Sequence, residues 1–202
     1  MMPPKPSGTP ATLSVTLKAS RPMFQARSIR HCRACGAPVY RLPADDTRER
    51  AICTSCETIH YENPLNVVGT LPVWQDKVLL CRRNIEPRKG LWTLPAGFME
   101  LGETTLEGAL RETVEEAGAR VEMQGLFTLI DVVRVGQVHL FYRARLLDTD
   151  FAPGPETIEA GLFAEAEIPW GELAFRTTKL TLERYFEDRR TGAGFGIHTL
   201  AV

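Results

Sequence analysis

The sequence predicts an α+β protein in which one domain of mixed strands and helices follows a small cysteine-rich module. Its 202 residues, 44% of them hydrophobic, are enough for one well-packed domain and a small appendage. Four of the five cysteines fall in two C-x2-C pairs in the first third of the chain. After residue 63, strand-like runs are interspersed with two segments of helical period, and no internal repeat is visible.

The charge balance excludes some classes of partner. Lys and Arg total 24 and Asp and Glu total 25, so the overall field favours neither nucleic acid nor acidic membranes. No apolar run approaches the roughly 18 residues that a membrane span requires, and no secretory signal is visible. We therefore expect a cytoplasmic protein with no nucleic-acid partner and no membrane partner.

Residues 1–29 contain no acidic residue, are rich in Pro, Ser, Thr and basic residues, and lack an amphipathic period. This composition predicts a disordered tail. An organelle transit peptide is the alternative, and Met23 offers an alternative start of the chain.

The cysteine pairs lie within residues 30–62, which we predict to form a zinc ribbon. Seventeen residues separate Cys32 and Cys35 from Cys53 and Cys56, and this spacing lets two tight turns converge on one tetrahedral ion. Four thiolates leave no position for water, so the Zn²⁺ is expected to be structural. A disulfide framework or a redox pair is the alternative, disfavoured by the cytoplasmic context and by the presence of two pairs. Cys81 lies in an apolar segment and is expected to be a core residue.

The remaining elements follow in order. Two strands joined by a turn at residues 75–76 lead through a Gly- and Pro-rich loop into a helix, and further strands precede a terminal amphipathic helix. The predicted strands cover residues 65–74, 77–83, 123–135, 137–147 and 162–163, and the predicted helices cover residues 104–117 and 178–188.

The first helix combines an apolar stripe with an acidic face. Glu112, Glu115 and Glu116 stand at i, i+3 and i+4, where like charges repel one another. A Mg²⁺ ion would compensate this repulsion, but a solvated acidic face has the same spacing, and spacing alone leaves both interpretations open. The stripe predicted to be buried consists of Leu106, Ala109, Leu110, Thr113, Val114 and Ala117.

The segment around this helix resembles the box of the Nudix family, G-x5-E-x7-R-E-U-x-E-E-x-G-U. It matches at every charged and glycine position and departs only at the two aliphatic positions, here Thr113 and Ala119, which bear on packing. The resemblance implies a Nudix fold over residues 63–202, in which a mixed sheet lies between helices. The matching positions are Gly97, Glu103, Arg111, Glu112, Glu115, Glu116 and Gly118.

The resemblance also implies roles for these residues. Glu112, Glu115, Glu116 and the Gly97 carbonyl would bind Mg²⁺ or Mn²⁺, and an ion pair between Glu103 and Arg111 would orient the helix. Water would attack one phosphorus of a diphosphate, with Glu116 or Glu115 as the base.

Residues outside the box complete the predicted site. Family members also take a base or ligand from a later loop, where Glu156 and Glu159 are the candidates here and an ordinary exposed loop is the alternative. Arg83 and Arg88 are predicted phosphate contacts. An aromatic wall for a substrate ring has four candidates, for each of which a place in the core is the favoured interpretation: Trp92, Phe98, Tyr142 and Phe175.

Sequence features outside the box narrow the range of expected substrates. A ribbon before a Nudix domain resembles the NADH pyrophosphatases, but their Ser-Gln-Pro-Trp-Pro-Phe-Pro stretch is absent after the box. The closer resemblance is to ribbon-bearing ADP-ribose/FAD pyrophosphatases, carried by residues 59–64, 85–88, 92–100 and 167–170. It implies Mg²⁺-dependent hydrolysis of FAD or ADP-ribose with release of AMP, and a homodimer as one option. NADH pyrophosphatase activity, or ligand sensing without turnover, is the alternative.

Overall fold

A computed structural model describes residues 29–43, 49–192 and 194–202. The predicted tail therefore lies almost entirely outside the described residues. The first sheet is antiparallel, with its strands in the order β1-β2-β3. Val39 pairs with Cys53 and Ala51 pairs with His60, so the hairpin that separates the two cysteine pairs brings them to one end. These strands are β1 (Val39–Pro43), β2 (Glu49–Cys53) and β3 (Ile59–His60).

The second sheet has eight strands and is mixed. Its main path runs β10-β5-β4-β9-β8-β11, with β6 added to β5 and β7 added to β4. The pairs β4–β9 and β8–β11 are parallel, and the other pairs are antiparallel. In chain order, the strands of this sheet and the two helices that pack on it are β4 (Leu65–Trp74), β5 (Lys77–Arg83), β6 (Trp92–Thr93), β7 (Ala96–Phe98), α1 (Thr105–Ala117), β8 (Val121–Val132), β9 (Gln137–Leu146), β10 (Thr157–Phe163), α2 (Arg176–Thr191) and β11 (His198–Ala201).

The two helices cover opposite faces of this sheet. Side chains alternate between faces along a strand, and those of β5 divide accordingly. Leu79 and Cys81 pack in a cluster with Ala117 of α1, whereas Val78 and Leu80 pack in the cluster that includes α2. This arrangement is the sandwich that the resemblance implied. No helix in the described part of the chain is long and apolar enough to cross a membrane.

The larger core lies under α2. Burying each of its large side chains stabilises the fold by roughly 1.5–3 kcal/mol. The smaller cluster under α1 leaves room on that face for polar side chains. The larger core consists of Leu71, Val78, Leu80, Leu94, Phe127, Phe141, Ile168, Leu182, Tyr185 and Phe186.

Most of the long elements confirm the sequence prediction, but β8 ends before the predicted residue 135 because residues 133–135 form a short 3-10 helix. β4, β5 and the turn between them have the predicted bounds, and α1 begins one residue later than predicted because Thr104 is its cap. β10 is longer than predicted, since Glu159 and Gly161 interrupt the apolar period of a strand that nevertheless pairs with β5.

Candidate active site

Caps at both ends hold α1 in place. The Thr104 hydroxyl accepts from the Glu107 backbone N–H (3.2 Å), and the Glu107 carboxylate accepts from the Thr104 N–H (2.7 Å). Gly118 ends the helix in the left-handed region (φ 60°), where its N–H donates to the Val114 carbonyl (2.8 Å).

Small residues and two glutamates form the face of α1 that meets the sheet. A Cβ added at Gly108 would collide with Val68 of β4, so the helix and the strand approach more closely than leucines would allow. Thr113 is fully buried, and its hydroxyl hydrogen-bonds with that of Thr70 (2.6 Å). Ala109 is likewise fully buried.

The predicted apolar stripe is wrong at three of its six positions. Leu106, Leu110 and Val114 are 39%, 36% and 53% exposed. Because the close approach to β4 selects small side chains, the contact face of α1 is rotated from the leucines toward the acidic side. Glu112 and Glu116 are therefore not on a solvated face but are 8% and 7% exposed.

Glu116 is a buried carboxylate with few partners. Its Oε2 accepts a hydrogen bond from the Ala96 backbone N–H (3.0 Å). Burial raises the pKa of Glu116 to about 7, and the positive charge of nearby Arg83 offsets only part of that shift. A second positive charge at this position would stabilise the ionised form.

Glu112 lies beside it, against the backbone of β7. Burial also raises the pKa of Glu112, although its carboxylate accepts a hydrogen bond from Arg111 Nη1 (2.7 Å). A Cβ at Gly97 would collide with this carboxylate, so glycine leaves the carboxylate room against the backbone here. The structure thus places Gly97 directly at the glutamate cluster, which we define as Glu112, Glu115 and Glu116.

Arg111 connects the glutamate cluster to the loop before α1. Its Nε and Nη2 donate to both carboxylate oxygens of Glu103 (3.0 and 2.9 Å), which forms the expected ion pair. Hydrogen bonds from Arg111 lower the pKa of Glu103 to about 2. Nη1 also donates to Glu115 (3.0 Å), and Nη2 donates to the Phe98 carbonyl (3.1 Å). Arg111 therefore supplies part of the positive charge that the cluster requires.

Of the two later glutamates, the structure brings only Glu156 to the cluster. Burial dominates the raised pKa values of Glu112 and Glu116, and the charge of nearby Glu156 adds to both shifts. Glu159 instead forms an ion pair with Arg82 (2.9 Å). Arg82 belongs to the α2 side of β5 by the alternation of side chains, so Glu159 lies away from the cluster.

The two predicted phosphate contacts differ in position. Arg83 is only 8% exposed, and its Nε donates to the Pro87 carbonyl (3.0 Å). Arg88 is exposed in the loop between β5 and β6, with a left-handed backbone (φ 70°). The structure therefore places Arg83 beside Glu116 and Arg88 on the surface of the adjoining loop.

The four cysteines form a compact cluster in the ribbon. Their sulfur atoms all lie within 4.8 Å of one another, with Cys35–Cys53 at 3.4 Å and Cys32–Cys56 at 3.7 Å. A tetrahedral Zn²⁺ with bonds of about 2.3 Å separates its sulfurs by about 3.8 Å. The geometry fits zinc without rearrangement of the backbone.

Sequence reasoning missed the backbone groups of the site. The Ala96 N–H and the Phe98 carbonyl hold Glu116 and Arg111, but main-chain groups are the same at every residue and leave no trace in the sequence. In the sequence, only Gly97, which lies between Ala96 and Phe98, indicates that this stretch belongs to the site.

Comparison with known families identifies the class. The family described as "NUDIX domain" matches residues 64–182, and the one described as "Nudix N-terminal" matches residues 30–62. The chain belongs to the Nudix hydrolase family and carries the zinc-ribbon module that precedes some of its domains.

Individual relatives show how similar this chain is to other proteins. A Nudix hydrolase from Nitrosomonas europaea is 47% identical, with a TM-score of 0.83 over 86% of this chain and 99% of that one. An ADP-ribose pyrophosphatase from Streptococcus suis is 26% identical, with a TM-score of 0.56 over 69% of this chain and all of that one. The NAD-capped RNA hydrolase NudC of Klebsiella pneumoniae is 32% identical over 98 residues, 48% of this chain. That match spans only 36% of the NudC chain.

Proposed function

We propose that this protein is a Mg²⁺- or Mn²⁺-dependent pyrophosphohydrolase that splits the diphosphate of FAD or ADP-ribose and releases AMP. The observation that carries the proposal is the pair of buried carboxylates, Glu112 against Gly97 and Glu116 bonded to the Ala96 N–H. Burying two carboxylates side by side is costly unless positive charge is provided, and Arg83 and Arg111 provide only part of it.

The donors fit a hard divalent cation. Carboxylates and a backbone carbonyl are the oxygen ligands that Mg²⁺ prefers, and Glu115 remains 57% exposed at the edge of the cluster. Glu112, Glu115, Glu116 and the Gly97 carbonyl would hold the ion. When bound, Mg²⁺ would add positive charge at the diphosphate and lower the pKa of the attacking water.

The residues of the chain would then have separate roles in the reaction. Glu116, which is buried at the cluster, accepts the proton of the attacking water, with Glu115 as the second candidate. Glu103 fixes Arg111, and Arg111 fixes the orientation of Glu112 and Glu115. Of the two later glutamates, Glu156 is better placed to supply a further ligand or base than Glu159, which lies in β10.

The reaction requires no other reactant. The water oxygen forms a bond to one phosphorus while the bond between that phosphorus and the bridging oxygen breaks. The proton of water passes to the carboxylate, and the bridging oxygen leaves with the other phosphate. Arg83, beside Glu116, and Arg88, on the loop, would bind the phosphate oxygens.

Two observations support FAD or ADP-ribose as the substrate. The four segments outside the box resemble those of ADP-ribose/FAD pyrophosphatases, and the Streptococcus suis relative is described as an ADP-ribose pyrophosphatase. The similarity to NudC favours a second candidate, a nicotinamide dinucleotide either free or as an RNA cap. The near-neutral charge of this chain favours a small nucleotide over RNA.

We infer that residues 30–62 bind one structural Zn²⁺ and that residues 63–202 hold the catalytic centre. The compact cysteine cluster supports the first statement, and the location of every glutamate and arginine of the site after residue 82 supports the second.

The test is a turnover screen with Mg²⁺ against FAD, ADP-ribose, NADH, a dinucleoside polyphosphate, 8-oxo-dGTP and an NAD-capped RNA, with mononucleotide release as the readout. Preferred release of AMP from FAD or ADP-ribose supports the proposal. Preference for NADH or the capped RNA would favour the second candidate. Tight binding of these nucleotides without turnover would instead favour a sensor.

A further inference from the structure

Phe175 occupies a position where a different residue type is favoured. It is the residue that caps the N-terminus of α2, yet its side chain makes no capping hydrogen bond. Ser, Thr, Asp and Asn stabilise a helix at this position because their side chains accept from the free N–H groups of the first turn. Where a sequence departs from such a local rule, function at that position is a common reason.

The ring of Phe175 instead contacts Arg83. The guanidinium carbon lies 5.1 Å from the ring centroid, which is the geometry of a cation–π contact. The backbone next to the ring is held as well, because the Ala174 N–H donates to the Trp92 carbonyl (2.8 Å) and Leu173 bridges Trp92. The ring is thereby fixed to the strand that pairs with β5.

Arg83 is held at two points and keeps its outer nitrogens available. Its Nε donates to the Pro87 carbonyl, and its guanidinium rests on the Phe175 ring. Among the described residues, its two Nη groups make no hydrogen bond with the protein. An arginine that is only 8% exposed, whose charge acts on Glu116 and whose Nη donors are free, is suited to a phosphate oxygen.

We propose that Phe175 is a positioning residue that holds the Arg83 guanidinium so that its Nη groups bind a phosphate of the substrate diphosphate. The inference rests on the proposed function, since it assumes a diphosphate at the glutamate cluster. The ring's contact with Arg83 assigns it to this role, in place of the stacking on a substrate base considered from the sequence.

The proposal predicts an unusual pairing of effects. Phe175→Asn supplies the missing cap and removes the ring, so the melting temperature is expected to stay unchanged or to rise. KM for the preferred substrate is expected to increase about tenfold, the loss of one moderately strong charged contact. Phe175→Tyr keeps the ring and should retain wild-type KM.

A double-mutant cycle separates positioning from general packing. Arg83→Gln alone should raise KM, and adding Phe175→Asn to it should raise KM no further, because the ring acts only through Arg83. Phe163→Leu is the matched control, since Phe163 packs edge-on against Trp92 (4.9 Å) without a cation and should leave KM unchanged.

Additive effects in the cycle, or an unchanged KM in Phe175→Asn, would overturn the proposal. Calorimetric titration of each variant with ADP supplies a readout that does not depend on turnover. If the wild type hydrolyses no diphosphate, the proposed function fails; weaker ADP binding by Phe175→Asn would still support the role of the ring, and equal binding would refute it.

Discussion

The cysteine cluster of the ribbon and the glutamate cluster of α1 are two prospective metal sites built on different principles. The cysteine sulfurs lie within 4.8 Å of one another, and two of the pairs, at 3.4 and 3.7 Å, are close to the edge length of a zinc tetrahedron. In the part of the chain that the structure describes, no set of three carboxylates reaches that convergence. Arg111 instead bonds to Glu112 and Glu115, while Glu116 is buried against the backbone.

A difference of this kind is expected between a metal site that holds a fold and one that takes part in a reaction. A closed shell of four thiolates gives its ion no open position, and the ion's binding energy becomes folding energy. The glutamate cluster instead keeps buried negative charge that its protein partners neutralise only in part. Charge of this kind remains available to bind a cation together with a substrate.

The largest expected effect comes from a substitution in the glutamate cluster. Glu116→Gln removes the buried charge but keeps the volume of the side chain, so turnover should fall by about 10²–10⁴-fold while the fold is retained. The measurement is kcat/KM for the preferred substrate, with circular dichroism as the check on folding.

Glu183→Gln is the matched control, because Glu183 is an exposed helical glutamate on α2. It should leave kcat/KM unchanged. Near-normal turnover in Glu116→Gln would remove Glu116 from the mechanism.

The second prediction concerns a substitution that disrupts the cysteine cluster. Cys53 is fully buried, and Cys53→Ser should abolish stoichiometric zinc binding and expose residues 30–62 to proteolysis. Turnover should stay close to wild type, because the contacts of the glutamate cluster come from residues after 82. Elemental analysis, limited proteolysis and kcat/KM test it.

Cys81→Ala is the control, since Cys81 lies in the core under α1 and should leave the zinc content unchanged. A loss of turnover equal to the loss of zinc would show that the two sites are energetically linked and would contradict their separation.

The third prediction concerns pH. Burial raises the pKa of Glu116 from 4.5 to about 7, so the stability that protonated Glu116 contributes is complete below pH 4.5. It is lost as the pH rises through 7, by on the order of 3 kcal/mol. Without Mg²⁺, urea unfolding of the wild type should therefore show this loss between pH 5 and 8, and Glu116→Gln should show a smaller one, since burial also raises the pKa of Glu112.

Added Mg²⁺ should stabilise the wild type more at pH 8 than at pH 5, because the cation competes with the proton for the carboxylates. If the free energy of unfolding depended on pH in the same way in the wild type and in Glu116→Gln, Glu116 would be solvated in solution.

The sequence predicted the long elements but not the short ones. β4, β5 and α1 carry enough residues for an apolar period to be read, whereas β6 and β7 have two and three residues and carry none. The short strands form because the edges of β4 and β5 supply hydrogen-bond partners. That information lies in the tertiary arrangement and not in the segments themselves.

In the candidate site, the sequence pattern indicated which residues to consider but not which of them are buried. The box places Glu112 and Glu116 along the chain, but the close approach at Gly108 decides which face of α1 meets β4. Glu156 and Glu159 are chemically alike and three residues apart. They are separated by the irregular register of β10 on β5 between residues 157 and 159, which no local pattern indicates.

The smallest expected effect concerns a difference between the two turns of the cysteine cluster. Each C-x2-C pair is followed by a residue in the left-handed region, Gly36 (φ 76°) after the first and Glu57 (φ 56°) after the second. Glycine adopts this conformation freely, whereas a residue with a Cβ pays roughly 1–2 kcal/mol. Glu57→Gly should relieve that strain at the cost of extra freedom in the unfolded chain, with a net stabilisation of roughly 0.5–1 kcal/mol.

The measurement is competition for zinc with a chelator, in which Glu57→Gly should hold the ion more tightly than the wild type. Gly36→Ala is the mirror variant and should hold it less tightly, because nothing lies within 4 Å of the added Cβ and backbone strain alone opposes it. Weaker zinc binding by Glu57→Gly would show that the Glu57 side chain contributes more to the ribbon than its backbone strain costs.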